Sequence, residues 1–540
     1  MAPAGSSVEL IQRAVAALKR SAWSEAEELA HTVLRRFGPE ANALMVLGSI
    51  RAEAADLHGA IELYERARAI MPTHIHVLVN LASAYRATGR FQESRRTLDA
   101  ALHVDPRFAI AHNNLGNVLI DLGERREALR SYQRAAALDP HYSDPVAGLA
   151  WIAEEEHRLD DARGLAERAL QLAPQNVLAR LALARVKVRQ DDALGATTIL
   201  EGLLRGDTLS VTNRIVAQGS LGDAYDKLAR YSDAFAAFTE ANALQHEQCA
   251  ATMARAHGPL TPGSIARLTA FVAGANLSEW RPAPPSMPTP VFLVGFPRSG
   301  TTLLDQILAS HPEVTTLEER DTLIDATNEL MNAEEDYERW AGMQASEIEQ
   351  LRELYWQRVR TACSNAPLRR VFVDKQPLNA ALLPLIYRLF PAAKIVLALR
   401  DPRDVVLSCY QQHFGINAAM YQLLRLDTAT AYYDAVMRLV EVCRGKLPLR
   451  LHTVKYEDVI AKFEATMSSA LAFLELEWDE GLSRYTETAK KRTINTPSAA
   501  QVVRPLYGSA CGRWRNYSEF LKPSLPMLAP WVQTFGYDTQ

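Results

Sequence analysis

The chain has 540 residues, 48% of them hydrophobic and 23% charged, which is more than a single hydrophobic core usually supports, so at least two domains are expected. Its 59 Lys and Arg residues are nearly balanced by 63 Asp and Glu, leaving a formal charge of −4. That balance excludes the long-range basic field of a nucleic-acid or anionic-membrane partner and confines any cationic function to a local site.

The first residues, MAPAGSSVELIQRAVAALKR, lack the continuous apolar stretch of a signal peptide. No run anywhere reaches the roughly 18 apolar residues that cross a bilayer. A cytoplasmic protein is therefore expected. The five cysteines, Cys249, Cys363, Cys409, Cys443 and Cys511, are scattered without a C-x-x-C pair, and read as buried thiols rather than a disulfide framework or zinc site.

Pro72, Pro106, Pro140 and Pro174 recur at 34-residue intervals, the tetratricopeptide period. Between Ala109 and Pro140, Leu115-Gly116, Ala128, Tyr132 and Ala135 form a seam of small and aromatic residues suited to two crossing helices. The seam recurs as Leu47-Gly48, Ala60, Tyr64 and Ala67, and as Leu81, Ala82, Tyr85, Leu98 and Ala101. Weaker copies follow at Leu149, Ala162 and Ala169, at Leu183 and Ala196, and at Leu221-Gly222, Tyr225, Ala234, Phe238 and Ala241. With a frayed first unit near Ala26, about seven helical hairpins are predicted over residues 1–245. Such units stack to bury their faces, and the concave side commonly takes an extended peptide or a helix. A scaffold or dimerisation role is the simpler alternative.

A helical bridge is expected over 246–280 and a proline-rich linker over 281–290. From 291 to 540, short apolar strands (Val291–Gly295, Val371–Val373, Lys394–Leu399, His452–Lys455) alternate with helical stretches, which predicts a parallel sheet covered by helices. The fold class expected is thus an all-α repeat solenoid followed by an α/β domain with a phosphate-binding loop.

The most informative stretch is Val291-Phe-Leu-Val-Gly-Phe-Pro-Arg-Ser-Gly-Thr-Thr302, read as strand, glycine loop and helix. Backbone N–H groups and the helix dipole there favour a phosphate. The Gly295-to-Gly300 spacing fits a Walker loop, but Thr301 stands where the lysine for β- and γ-phosphates would be. A triphosphate hydrolase or nucleotide kinase is disfavoured, and Arg298 remains to reach an anion beyond a single phosphate. A second anion site is suggested by Arg400-Asp-Pro-Arg-Asp-Val-Val-Leu-Ser408, where a strand ends in arginine, Pro402 opens a helix and Ser408 lies on it. Arg403 and Asp404 also fit plain surface charges.

In these two segments the chain resembles sulfotransferases that use 3′-phosphoadenosine 5′-phosphosulfate (PAPS), and it is most similar to the tyrosylprotein branch over 289–540. The resemblance extends through His311-Pro-Glu-Val-Thr-Thr-Leu-Glu-Glu319, Asp374-Lys-Gln-Pro-Leu-Asn379, Val454-Lys-Tyr-Glu-Asp-Val459, Gln501-Val-Val-Arg-Pro505 and Gly512-Arg-Trp514. It implies PAPS as donor, with Arg298, Ser299, Gly300, Thr301 and Thr302 around the 5′-phosphosulfate. Arg400, Ser408, Ser498 and Arg513 would surround the 3′-phosphate and nucleotide, and Tyr456 would lie near the adenine.

Sulfuryl transfer needs in-line positioning and charge neutralisation rather than covalent work by the protein. A carboxylate takes the acceptor's proton. The residues alone leave Glu318 and Glu319 open, also as acidic residues opening a helix, and the resemblance selects Glu319. Lys375 and Arg298 suit the negative charge that builds on the leaving oxygen. No metal is required. The chain departs from the animal tyrosylprotein enzymes in lacking a membrane anchor and in carrying repeats, so the acceptor stays open between a peptide tyrosine held by the repeats and a glycan or small natural product. An adaptor with an inactive nucleotide fold is the alternative of another class, and homo-oligomerisation is possible through the repeats.

Overall fold

The computed structural model describes residues 5–206, 209–280, 283–284, 288–331, 336–492, 496, 502, 506 and 508–538. The chain divides into two compact units, Met1–Gly206 and Asp207–Gln540.

The first unit is a helical tetratricopeptide solenoid whose consecutive helices pair as hairpins over 7–37, 41–70, 75–104, 109–138, 143–172 and 177–204. The Leu-Gly positions work as notches. A Cβ at Gly48 would lie 2.6 Å from the ring of Tyr64, and one at Gly116 would lie 2.5 Å from the ring of Tyr132. The turn inside each hairpin places one residue in left-handed backbone, at Ser21, Ala55, Gly89, Gly123, His157 and Asp191, with φ from 57° to 76°. These positions keep the 34-residue interval, yet only two are glycine.

The second unit begins with one more hairpin, Val211–Lys227 and Tyr231–Met253, and its Gly222 is notched against Phe238 in the same way, at 2.5 Å. The second of these helices runs straight through residue 245, where the sequence suggested the array would end. The hairpin belongs with the sheet domain because Ala234 and Phe238 share a core with Leu407, Tyr410, Trp514, Tyr517 and Leu521. A buried Asn242 side chain also donates to the Tyr410 carbonyl at 2.8 Å. The expected bridge contains a helix, Pro262–Gly274, and a short turn, Leu277–Glu279. Much of the proline-rich segment lies outside the described residues.

Five parallel strands follow in the order β2-β3-β1-β4-β5, with β1 Val291–Gly295, β2 Val314–Glu318, β3 Val371–Lys375, β4 Lys394–Leu399 and β5 Arg450–Lys455. Side chains of β1 alternate between two cores: Phe292 and Val294 face one, Val291 and Leu293 the other. Both faces are covered, as a parallel sheet requires. Strand β2 is absent from the sequence expectation because its Val-Thr-Thr-Leu-Glu run is short and half polar, which is what an edge position tolerates. All five cysteines are free, but only Cys409 and Cys443 are buried; the other three are partly exposed. Among the described residues no helix is long and apolar enough to cross a membrane.

On β3, Asp374 is fully buried. Its carboxylate accepts from Thr322 Oγ1 at 2.6 Å and from the Tyr355 hydroxyl at 3.0 Å, tying the strand to the segment after β2 and to the helix Ala345–Ala362. Burial pushes its carboxyl from 3.8 up to about 6, against the lowering effect of the two hydroxyl donors.

Two stability predictions arise. Gly116→Ala is expected to destabilise the solenoid by about 1–3 kcal/mol through overpacking against Tyr132, whereas Ala55→Gly, which relieves left-handed backbone, should stabilise it by up to about 1 kcal/mol. Urea unfolding of the two variants reads both signs. Asp374 is more readily neutral folded than unfolded, so its stabilising contribution is full below pH 3.8 and is lost as the pH rises through about 6. That loss amounts to about 3 kcal/mol. Asp374→Asn should flatten this part of the stability profile and unfold at higher denaturant than the parent at pH 7.

Candidate active site

Every strand of the sheet delivers a residue to the same edge. β1 runs into the glycine loop, β2 into Glu319, β3 ends on Lys375, β4 is followed by Arg400 and β5 by Tyr456. This carboxyl edge is where open parallel sheets bind ligands.

After β1 the loop turns through two left-handed residues, Arg298 at φ 69° and Gly300 at φ 98°, before the helix Thr301–Ala309. Space fixes both glycines. A Cβ on Gly295 would lie 2.6 Å from the Ala398 carbonyl oxygen and from Ser299 Oγ, and one on Gly300 would lie 2.9 Å from the Tyr456 ring. Ser299, Thr301 and Thr302 are buried at the helix start, and Thr302 Oγ1 is 3.3 Å from Thr496 Oγ1. Cys409 Sγ donates to the Pro297 carbonyl at 3.3 Å, and burial pushes its thiol up to about 12, so it is a structural prop rather than a nucleophile.

The two segments singled out in the sequence meet. Arg298 Nε donates to Ser408 Oγ at 3.0 Å, and Arg400 Nη1 donates to the Arg298 carbonyl at 3.3 Å. The Arg400 guanidinium lies 5.0 Å from the centre of the Tyr456 ring. Arg298, Gly300, Thr302, Arg400, Ser408, Tyr456 and Arg513 line one pocket. Among the described residues, the buried Ser299 Oγ and Arg400 Nε have no hydrogen-bond partner. Such groups are costly unless something pairs with them.

Pro402 opens the helix Pro402–Tyr410 as expected, but Arg403 and Asp404 are not surface charges: they are 4% and 1% exposed. Arg403 forks onto Asp401 at 2.7 and 3.0 Å and stacks 4.0 Å from the centre of Trp514. Asp404 accepts the backbone N–H groups of Gly512 and Trp514 at 2.7 and 2.8 Å, which pins the backbone on either side of Arg513. Burial raises the Asp404 carboxyl despite these donors and Arg400.

A second cleft of mixed lining meets the first at Arg298, Gly300 and Thr302; Leu260, Leu323, Leu378, Phe414 and Met420 are among its apolar walls, with Glu319, Asp321, Asn379 and His413 among its polar ones. Lys375 is fully buried and donates to Glu319 at 2.7 Å and to Glu318 at 3.4 Å. Neither glutamate opens a helix. Glu318 closes β2, and Glu319 follows at φ 44° with its N–H on the Lys375 carbonyl at 2.8 Å. The positive φ turns the Glu319 side chain out of the strand alternation. Lys375 is therefore in contact with Glu319, whereas Arg298 is the cation shared by both cavities.

Ser498 lies outside the described residues, as does most of 501–505. Sequence reasoning missed a contribution from the hairpin. Asp226 on Val211–Lys227 pairs with Arg513 and accepts from the Tyr517 hydroxyl at 2.5 Å, and Asp223 lines the pocket beside it. Gly219 of the same helix meets His413, whose ring fills the place of a Cβ. No local signal marks these residues: acidic positions one turn apart on a repeat helix read as a solvated face. Among the described residues no group of three or more His, Cys, Asp or Glu is arranged to hold a metal.

Residues 290–480 match the sulfotransferase family model, and tetratricopeptide-repeat models match 11–74, 51–115 and 109–142. An uncharacterized protein of Aquifex aeolicus (strain VF5) is 25% identical over 423 residues, covering 76% of this chain and 53% of that one. Protein-tyrosine sulfotransferase A of Caenorhabditis elegans is 25% identical over 257 residues, 46% of this chain and 67% of the relative. Protein-tyrosine sulfotransferase 2 of Gallus gallus is 26% identical over 269 residues, 46% and 69%. The chain thus spans about half the length of the Aquifex protein. It carries a sulfotransferase-family domain over residues 290–480, preceded by tetratricopeptide repeats.

Proposed function

We propose that the sulfuryl donor is 3′-phosphoadenosine 5′-phosphosulfate and that the acceptor is a phenolic hydroxyl, a tyrosine of a polypeptide engaged by the repeats. The observation that carries the donor reading is the join between the β1 loop and the β4 segment, where Arg298 bonds Ser408 and carries Arg400 on its carbonyl. Two anions a few ångströms apart suit two such edges, and a triphosphate would lack the lysine that Thr301 replaces. The partnerless Ser299 Oγ and Arg400 Nε fit an anionic ligand. The loop amides with Ser299, Thr301 and Thr302 would hold the 5′ end, and Arg400, Ser408 and Arg513 the 3′-phosphate. Leu260, Leu323, Phe414 and Met420 give the second cleft apolar surface for an aromatic ring among its polar lining, and the tyrosine-specific names of the relatives favour a phenol over a sugar.

In this reading the donor supplies an activated sulfuryl group, and the chain supplies positioning and charge. Glu319, open to the cleft and oriented by Lys375, takes the acceptor proton. Once neutral it holds Lys375 less tightly, which frees ammonium donors for negative charge developing at the ends of β1 and β3. Arg298 reaches both cavities and stabilises charge where they meet.

Calorimetry with adenosine 3′,5′-bisphosphate should show binding at least about tenfold tighter than ATP, and Arg400→Ala should weaken it by about 1.5–3 kcal/mol. Equal affinity for the two nucleotides would sink the donor reading. Glu319→Gln keeps size and hydrogen bonding, so bisphosphate affinity should hold while sulfation of a tyrosine peptide drops by about 10²–10⁴. Loss in Glu318→Gln instead would move the base to its neighbour.

A further inference from the structure

Arg513 is a cation of the anion pocket whose side chain is paired by a carboxylate far from the strand ends. Its backbone is held by Asp404 through Gly512 and Trp514. Its side chain, about a third exposed, pairs with Asp226, which is itself mostly buried. The second oxygen of Asp226 accepts from Tyr517, so the carboxylate is fixed from two sides before it fixes the arginine. Asp226 belongs to the hairpin 211–253, which packs on the sheet domain through Phe238, Tyr410 and Tyr517.

We infer that this hairpin is a wall of the donor site and that Asp226 is the positioning residue that aims Arg513 at the 3′-phosphate; the inference rests on the donor reading above. Two opposing effects decide its sign. A carboxylate near an anion site repels the ligand, which alone would make Asp226 harmful to binding. Against that, an arginine held in one rotamer has already lost the freedom it would otherwise lose on clamping a phosphate, and with five N–H donors it has more than a carboxylate shared with Tyr517 takes up. The charge of Asp226 is matched by Arg513, and Asp223 on the pocket lining stays in place in every variant, so the cost of Asp226's own field is small and orientation wins.

A double-mutant cycle in the full chain tests this, with adenosine 3′,5′-bisphosphate as the probe. Arg513→Ala and Asp226→Ala are each expected to weaken binding about tenfold, and the double variant no more than Arg513→Ala alone. Asp226→Asn, whose amide oxygen still accepts from Arg513, should recover part of the loss. Glu240→Gln removes a charge from an exposed position of the same hairpin and should leave affinity unchanged. Unfolding midpoints confirm that the compared variants are folded; if Asp226→Ala is not, the cycle is run with Asp226→Asn. An affinity that stays equal or rises in the Asp226 variants overturns the proposal. So does a loss that persists undiminished in the Arg513→Ala background, which would mark a merely structural role. Absence of bisphosphate binding by the parent chain would instead overturn the donor reading.

Discussion

The candidate site depends on the parallel register of five strands whose carboxyl ends lie side by side. In the order β2-β3-β1-β4-β5, neighbouring ends bring Glu319, Lys375, the glycine loop, Arg400 and Tyr456 into one line. Each strand rises from a covered sheet, so these ends are fixed by two hydrophobic cores rather than by the polar residues themselves. The site then adds local distortion to that rigid base. Arg298 and Glu319 take left-handed backbone without being glycine, at a cost of about 1–2 kcal/mol each. Each is compensated nearby: Arg298 through Ser408 and Arg400, and Glu319 through the Lys375 carbonyl and ammonium. The two positions that break local rules are both on the lining of the candidate site.

The buried charges behind this edge have a different task from those on it. Asp404 lines the pocket but commits its carboxylate to the backbone N–H groups of Gly512 and Trp514, and Arg403 is committed to Asp401. They fasten the C-terminal segment, through Gly512, Trp514 and the Asp538 carbonyl, to the helix that bears Ser408. Removing one member of such a network leaves a buried charge unpaired, which costs far more than the pair contributes. This short charged segment therefore mixes two functions: Arg400 and Ser408 line the pocket, Arg403 holds the frame, and Asp404, on the lining, does both.

Legibility in the sequence followed the range of the interaction. The 34-residue period, the Leu-Gly notches, the glycine loop and the proline-opened helix are local patterns, and each has its counterpart in the structure. Strand β2 escaped because an edge strand with two threonines has no hydrophobic run to announce it. The turn column at Ser21, Ala55, His157 and Asp191 escaped because four of its six members are not glycine, so composition gave no mark of left-handed backbone. Asp226, Gly219 and the inward role of Asp404 depend on contacts between residues far apart in the chain, up to the separation of Asp226 from Tyr517, and no local spacing encodes them.

The same long-range contacts define what the sheet domain contains. The family model covers 290–480, yet the core around the sheet includes Ile265, Leu268 and Val272 from before it and Leu528, Trp531 and Phe535 from after it. Phe238, earlier still, packs with Tyr517 and Leu521. Exposing even half of these seven or so large side chains would forfeit about 1.5–3 kcal/mol apiece, comparable with the 5–15 kcal/mol that holds a typical domain together. A fragment begun at the proline-rich segment would lose the hairpin, the Pro262–Gly274 helix and the Asp226 anchor of Arg513 at once. The compact unit that holds the sheet therefore begins after Gly206, and the hairpin that resembles the end of a repeat array is physically the beginning of the sheet domain.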